Sequence, residues 1–342
     1  MPELGGDVDR LAPLATSGLA HDHVRIAGTG LLLRVPRQSQ MGLDAAGNLF
    51  YQAACFQRAA LSGHVPRLHA VLPPAPDLPM GALVVEEIAG RPPRLPDDLS
   101  ALAGALAAIH ALAVPPADQR PPLRDHGNPV AETLAEVQRQ AAFLDGAGLA
   151  EDARRQIDEE LETARRQAEP ERGPPVTLIS FDAHPGNFLI DRAGRAVLVD
   201  LEKGRYGAAG YDLAHATLYT STTWDVATHA VLDHAEIAQF YEAWLDAVPA
   251  ALGLASRPWL LPLRRIMWLW SVTWCAKWRV QSGQGAQPDK HAAGSTEDWS
   301  AELTDAGLIA HVRGRVADYL DPEVMALVRS DWRGSPLARQ LG

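Results

Sequence analysis

The sequence predicts an α+β chain of two lobes, a small β-rich one followed by a larger, mainly helical one. Three observations predict it. Strand-like runs punctuated by Gly and Pro fill residues 1–88 around a single helical segment. Beyond Gly90-Arg91-Pro92-Pro93 the apolar spacing becomes helical. Inside that helical part, residues 176–200 return to short strands around a polar loop. The order is not the strand–helix alternation of a doubly wound sheet. The expected division is a first lobe over 1–88 and a second over 89–342.

Each element has its own signal. Residues 24–36 place apolar β-formers on both sides of Gly28-Thr29-Gly30, a strand–turn–strand pattern that Pro36 ends. Residues 49–62 carry Leu49, Ala53, Phe56, Ala60 and Leu61 on one helical face. Residues 67–72 and 82–88 read as strands, parted by the Pro-rich loop from Pro73 to Pro79. Helices follow at 97–113, which starts with Asp97-Asp98, then at 130–146 and 150–168, the last richly charged. After Gly173-Pro174-Pro175 come strands at 176–180, 187–190 and 195–200, the last two joined by a turn from Asp191 to Gly194. Nearly all the rest reads helical, at 212–220, 233–247, 257–280, 299–320 and 322–330. Residues 281–296, rich in Gly, Gln and Ser, are expected to be a mobile loop.

Composition narrows the function classes. Apolar residues make up 47% and charged residues 21%, the balance of an ordinary soluble globular protein. Cys55 and Cys275 stand in no metal-type spacing and are expected to be reduced thiols. A net charge of −11 argues against a nucleic-acid partner, because phosphate binding needs basic patches. Met1 to Arg10 lacks a basic start followed by an apolar run, and the apolar stretch from Leu99 to Val114 is too short to span a bilayer. The expectation is a cytoplasmic protein without a membrane or nucleic-acid partner. No motif specifies an oligomeric state.

Chemistry concentrates between Ser180 and Asp200. Asp182 leaves a strand into a tight loop, Asn187 opens the next strand, and Asp200 ends the strand that returns. The hairpin brings three oxygen-bearing side chains to face one small space. Phosphoryl transfer needs such a set: oxygen ligands for Mg²⁺ and a separate carboxylate for the acceptor hydroxyl.

The run from Asp182 through His184-Pro185-Gly186 to Asn187, followed by Val197-Leu198-Val199-Asp200-Leu201-Glu202, closely resembles the catalytic loop and metal-binding segment of aminoglycoside phosphotransferase-like kinases, which include choline and ethanolamine kinases. The resemblance continues in Leu32 to Pro36, Val65-Pro66, Val84 to Gly90, Leu106 to His110, and Gly210-Tyr211-Asp212, and so covers roughly 24–220. It implies a protein-kinase-like bilobal fold and an ATP- and Mg²⁺-dependent kinase acting on a hydroxyl of a small polar or cationic acceptor. It further implies Asp182 as the acceptor-orienting base and Asn187 and Asp200 as Mg²⁺ ligands. By the same resemblance Gly28, Thr29 and Gly30 cover the ATP phosphates with Arg34 beside them, and backbone groups of Glu86 and Ile88 meet adenine. Asp212 would cap a helix and tie down the loop.

Three positions depart from the family pattern. Ser180 stands where His is usual, Phe181 replaces a common Gly, and Gln57 takes the register where a helix Glu would pair with the basic residue. These departures raise a second reading, a catalytically weak nucleotide-binding protein of the same fold with a regulatory or binding role.

The acceptor side is less specified. Trp270, Trp274 and Trp278 recur at four-residue steps, with Trp268 alongside. They form either a core stripe or an aromatic wall that, with Glu202, Asp212 or Asp225, would hold an ammonium group. His184 reads as a loop-fixing residue, and His21 and His23 have no companions for a zinc site.

Overall fold

The computed structural model describes residues 10–14, 20–168, 173–283 and 306–341. The expected loop at 281–296, except for the helix end at 281–283, and the first residues of the expected helix at 299–320 lie outside them.

Five antiparallel strands form the first sheet: β1 (Leu11–Pro13), β2 (His21–Ile26), β3 (Leu31–Pro36), β4 (Leu68–Leu72) and β5 (Ala82–Glu86), in the order β1-β2-β3-β5-β4. The β2–β3 hairpin is tight, pairing Ile26 with Leu31, His23 with Arg34 and His21 with Pro36. Thr29 stabilises its turn by donating from Oγ1 to the Ile26 carbonyl at 2.7 Å. Helix α1 (Ala45–Ala59) packs against β4 and β5 and starts earlier than its apolar spacing suggests. Asp44 caps it, accepting from Gly47 N at 2.7 Å.

Beyond β5 the chain forms β6 (Gly90–Arg91), α2 (Leu99–His110), α3 (Pro129–Ala141), α4 (Glu151–Gln167), β7 (Val176–Ile179), β8 (Phe188–Asp191), β9 (Ala196–Leu198) and β10 (Arg205–Ala208). Strand β8 pairs with both β6 and β9, and β10 returns to pair with β7. The later described elements are helical: α5 (Ala209–Thr217), α6 (Tyr219–Thr222), α7 (His234–Ala247), α8 (Ala250–Ser256), α9 (Leu260–Gly283), α10 (Ala306–Tyr319), α11 (Pro322–Arg329) and α12 (Pro336–Leu341). The helix expected over 212–220 is broken, because Leu218 takes an extended conformation.

Two apolar cores position the polar loop between them. One joins α1, α2, α7 and the β8–β9 hairpin through Phe56, Leu106, Phe188, Leu198 and Trp244. The other surrounds α9 with α3, α4, α5 and α11 through Ile157, Tyr211, Met267, Trp268 and Met325. The architecture is α+β, an antiparallel N-terminal sheet followed by a larger helical part. Among the described residues no helix is long and apolar enough to cross a membrane.

Candidate active site

A buried carboxylate holds the loop that begins after β7. The backbone N–H groups of Ser180 and Phe181 both donate to Asp212 on α5, each at 2.7 Å. His110 on α2 adds a third donor from Nε2 at 3.1 Å. Its Nδ1 accepts from Trp244 Nε1 at 3.0 Å. An indole N–H can only donate, so the proton of a neutral His110 sits on Nε2 and points at Asp212. Asp212 is wholly buried and outside the cavity described below. It is therefore a scaffold for the loop, which corrects its placing among the acceptor-binding carboxylates.

Phe181 enters the loop with φ of 58°, the left-handed region that side chains with a Cβ avoid. Packing holds it there: the ring is buried, the Arg205 guanidinium lies over it at 3.8 Å, and Tyr211 and Trp270 meet it edge-on. Asp182 follows. Then His184 accepts from Gly186 N at 3.2 Å and closes a single turn, Pro185–Asn187. Gly186 lets Asp225 approach, since a Cβ there would meet Asp225 Oδ2 at 2.7 Å.

The two ends of the motif meet through the hairpin. Val199 N donates to the Asn187 carbonyl at 2.8 Å, so Asp200 returns beside the loop. Asn187 donates from Nδ2 to the Asp182 carbonyl at 2.8 Å, which leaves its amide oxygen for a ligand. Asp182, Asn187 and Asp200 line one cavity of about 440 Å³, together with Glu202, Lys203 and His215. Oxygen donors of this kind suit a hard cation such as Mg²⁺.

Charge in the site is tightly paired. Asp200 receives Arg34 Nη2 at 2.5 Å. Burial, the largest influence, works against its ionisation, but Arg34 together with His21, the Glu202 N–H and Lys203 outweighs it and holds the carboxyl at about 2. Asp182 sits 3.2 Å from Lys203 Nζ and 3.8 Å from His215 Nδ1. Burial opposes ionisation here too, and Lys203 with His184 and His215 still holds the carboxyl below its usual range. Burial lowers His215 to about 4, so the ring is neutral at pH 7. Glu202 runs the other way: burial, then the charge of Asp200, pushes its carboxyl well above the usual range.

Arg34 is almost wholly buried. It donates to the Val199 carbonyl at 3.1 Å and to His21 Nδ1 at 3.2 Å as well as to Asp200. Gln57, expected to face it, is exposed. The buried glutamine is Gln52, whose Oε1 accepts from His21 Nε2 at 3.1 Å. His21, without companions in the sequence, has a ring nitrogen within 4.8 Å of carboxylate oxygens of Asp200 and Glu202. Both its nitrogens are already engaged, by Arg34 and by Gln52. Glu202 accepts from Gln40 Nε2 at 2.5 Å.

The structure does not bring Gly28, Thr29 and Gly30 to this cluster. Their turn lies at the far end of the hairpin, where Glu87 N donates to the Gly30 carbonyl. Ala20, His21 and His23, at the opposite end, line the cavity. Glu86 ends β5, and Ile88 lies on the crossing to β6; neither lines the cavity.

The acceptor side of the cavity is aromatic. Trp270 and Trp274 of α9 line it, with Asp225, Trp224, His311 and Tyr319. Trp224 meets Trp274 edge-on at 5.9 Å and lies tilted against Tyr319 at 6.4 Å. Trp268 turns away into the core against Trp332. Sequence reasoning missed Lys203, His215, Trp224, His311 and Tyr319. Two of them carried a usable signal: Lys203 follows directly on Glu202 and Trp224 precedes Asp225, so each travels with a residue already singled out.

With that geometry in hand, the chain matches the model of a family described as "Phosphotransferase enzyme family" over residues 13–257. No curated protein sequence matches it. Solved structures share the fold. A choline/ethanolamine kinase family protein from Mesorhizobium loti superposes with a TM-score of 0.57 at 18% identity, over 100% of this chain and 94% of that one. An ethanolamine kinase from Plasmodium vivax gives 0.57 at 12% identity, over 93% and 84%. A spectinomycin phosphotransferase, solved with ADP and spectinomycin, gives 0.58 at 10% identity, over 93% and 92%. The likeness at these identities is one of fold, the two-lobed protein-kinase-like architecture.

Proposed function

The chain belongs to the phosphotransferase enzyme family, and from that premise we propose that it is an ATP-dependent kinase transferring the γ-phosphoryl group to a hydroxyl of a small polar or cationic acceptor. The observation that carries this reading is the convergence of Asp182, Asn187 and Asp200 on one cavity whose other wall is aromatic. Residues 1–88 then serve the nucleotide, and residues 89–342 carry the catalytic loop and the acceptor site.

Asp182 holds the acceptor hydroxyl and takes its proton. The acceptor oxygen bonds to phosphorus as the bond from phosphorus to the bridging oxygen breaks, and ADP leaves. Asn187, through its amide oxygen, and Asp200 would hold Mg²⁺, which supplies charge neutralisation at the phosphates. Arg34 keeps Asp200 ionised and oriented for that role. The phosphates are met from the Ala20–His23 end of the β2–β3 hairpin rather than by Gly28-Thr29-Gly30. Adenine meets the backbone of Glu86 and Ile88. Four residue steps lead from Gly30 to Arg34, about 13 Å, a span suited to a nucleotide lying from base to terminal phosphate. The aromatic wall of Trp224, Trp270, Trp274 and Tyr319, with Asp225 beside it, favours an acceptor carrying a cationic centre, at about 0.5–2 kcal/mol per ring contact.

The test is turnover of ATP with Mg²⁺ over a panel of hydroxyl acceptors, comparing wild type with Asp182→Asn. The variant keeps the shape of the site and loses the proton acceptor. Its kcat is expected to fall by about 10²–10⁴-fold in a variant that still folds and binds nucleotide. Equal rates in the two proteins would remove Asp182 from the reaction.

A further inference from the structure

We infer that Lys203 is the cation that receives the transferring phosphoryl group, exchanging its contact with Asp182 for one with the γ-phosphate when ATP binds. The inference rests on the kinase reading above and adds to it a residue that neither the family resemblance nor the motif spacing singles out.

Arg34 is the basic residue expected at the phosphates, yet it is buried and bonded to the Val199 carbonyl, Asp200 and His21. It does not line the cavity. Among the described residues, Lys203 is the one Lys or Arg that does. Its Nζ stands 3.2 Å from Asp182 Oδ2, and it lies 5.9 Å from the centre of the Trp270 ring. The ammonium thus sits between the proposed proton acceptor and the wall of the acceptor site.

In-line transfer locates the phosphoryl group relative to Asp182. A hydroxyl hydrogen-bonded to that carboxylate lies about 2.6–3.2 Å from it, and the reacting phosphorus lies about 3–3.5 Å further on. A lysine already touching Asp182 reaches the equatorial oxygens by rotation of its flexible four-carbon stem. The exchange has a second effect. In the resting site Lys203 occupies one oxygen of Asp182; once it moves to the phosphate, that oxygen is released for the acceptor hydroxyl. Nucleotide arrival and exposure of the proton acceptor are thereby coupled, which limits activation of water before both substrates are present.

A role as a mere counterion to Asp182 makes a different prediction. A counterion would serve ADP and ATP complexes alike, whereas a γ-phosphate ligand discriminates between them. The experiment is calorimetric titration of the full chain, with and without Mg²⁺, using ADP and the non-hydrolysable analogue AMP-PNP, in wild type, Lys203→Met and Lys203→Arg. The expected result is that Lys203→Met weakens AMP-PNP binding about tenfold and leaves ADP binding unchanged, while Lys203→Arg restores most of the difference. Lys203→Gln, which keeps a donor for Asp182 without the charge, gives the same comparison should the methionine variant fail to fold. Equal changes for both nucleotides, or no change for either, overturn the assignment of Lys203 and leave the kinase reading standing. A wild-type protein that binds neither nucleotide overturns both.

Discussion

Phe181 shows how a departure from a family pattern can be absorbed by its neighbours. A residue with a Cβ held at φ of 58° costs about 1–2 kcal/mol, which is a physical reason for Gly to be common there. Burying an aromatic ring contributes more, since truncating one costs about 3–5 kcal/mol, and Phe181 also carries the stacked Arg205, which Glu136 pairs at 3.3 Å. Packing therefore outweighs strain. Phe181→Ala is expected to lose the ring and keep the strain, and Phe181→Gly to lose the ring and relieve the strain. Urea unfolding should rank wild type above Phe181→Gly, and Phe181→Gly above Phe181→Ala by about 1 kcal/mol. An alanine variant more stable than the glycine variant would mean that the left-handed backbone at 181 carries no cost. Ser180 is simpler to explain. Its side-chain oxygen accepts from Asp182 N at 3.3 Å, and the anchoring to Asp212 uses backbone, so that part of the loop does not depend on the residue type.

At the scale of elements, what could be read from the sequence followed sequence separation. The juxtaposition of Asp182, Asn187 and Asp200 was legible because one short hairpin, β8–β9, produces it. The glycine turn was misread because β1 has only three residues and gives no strand signal of its own. Without it, the hairpin holding Gly28 looks like the first in the sheet, and its turn is put at the wrong end. Gln57 was misread because a helix written in small residues, Ala53, Ala54 and Ala59 among them, presents no sharp apolar stripe to fix its register. Helix α9 had the opposite difficulty, since Trp recurs round more than one face. Trp268 and Trp274 are six residues apart, which puts them about 120° apart round the helix. One lies in the core against Trp332 and the other lines the cavity. Trp268→Ala should lower stability by about 3–5 kcal/mol with acceptor KM unchanged. Trp274→Ala should raise acceptor KM with a smaller loss of melting temperature. If both variants lose stability and neither shifts KM, the aromatic wall does not touch the acceptor.

Over the whole molecule the buried histidines set the response to acid. Burial is the leading cause in each: His21 is lowered to about 3, and His23, His126 and His215 to about 4. Each takes up a proton in the unfolded chain near 6.5, well before it does so in the folded protein. A histidine lowered in this way stabilises the fold above its unfolded value, and that contribution is lost as pH falls from about 6.5 towards 4. Glu202 has the opposite sign. Its folded carboxyl stays protonated above the usual range, so falling pH favours the fold at that position until its unfolded value near 4.5 is reached. Asp200, held at about 2, contributes only below this window. Four histidines outnumber one carboxyl, so unfolding takes up protons on balance across this window. Urea unfolding measured at intervals between about pH 6.5 and 4.5 should therefore show a steep loss of stability. His215→Gln should reduce the slope by about one proton, and Glu202→Gln should increase it. The approach to the isoelectric point near 5.5 relieves the −11 charge over the same range and acts as a weaker stabilising background. A flat profile across that window would mean that these imidazoles are not held neutral in the fold.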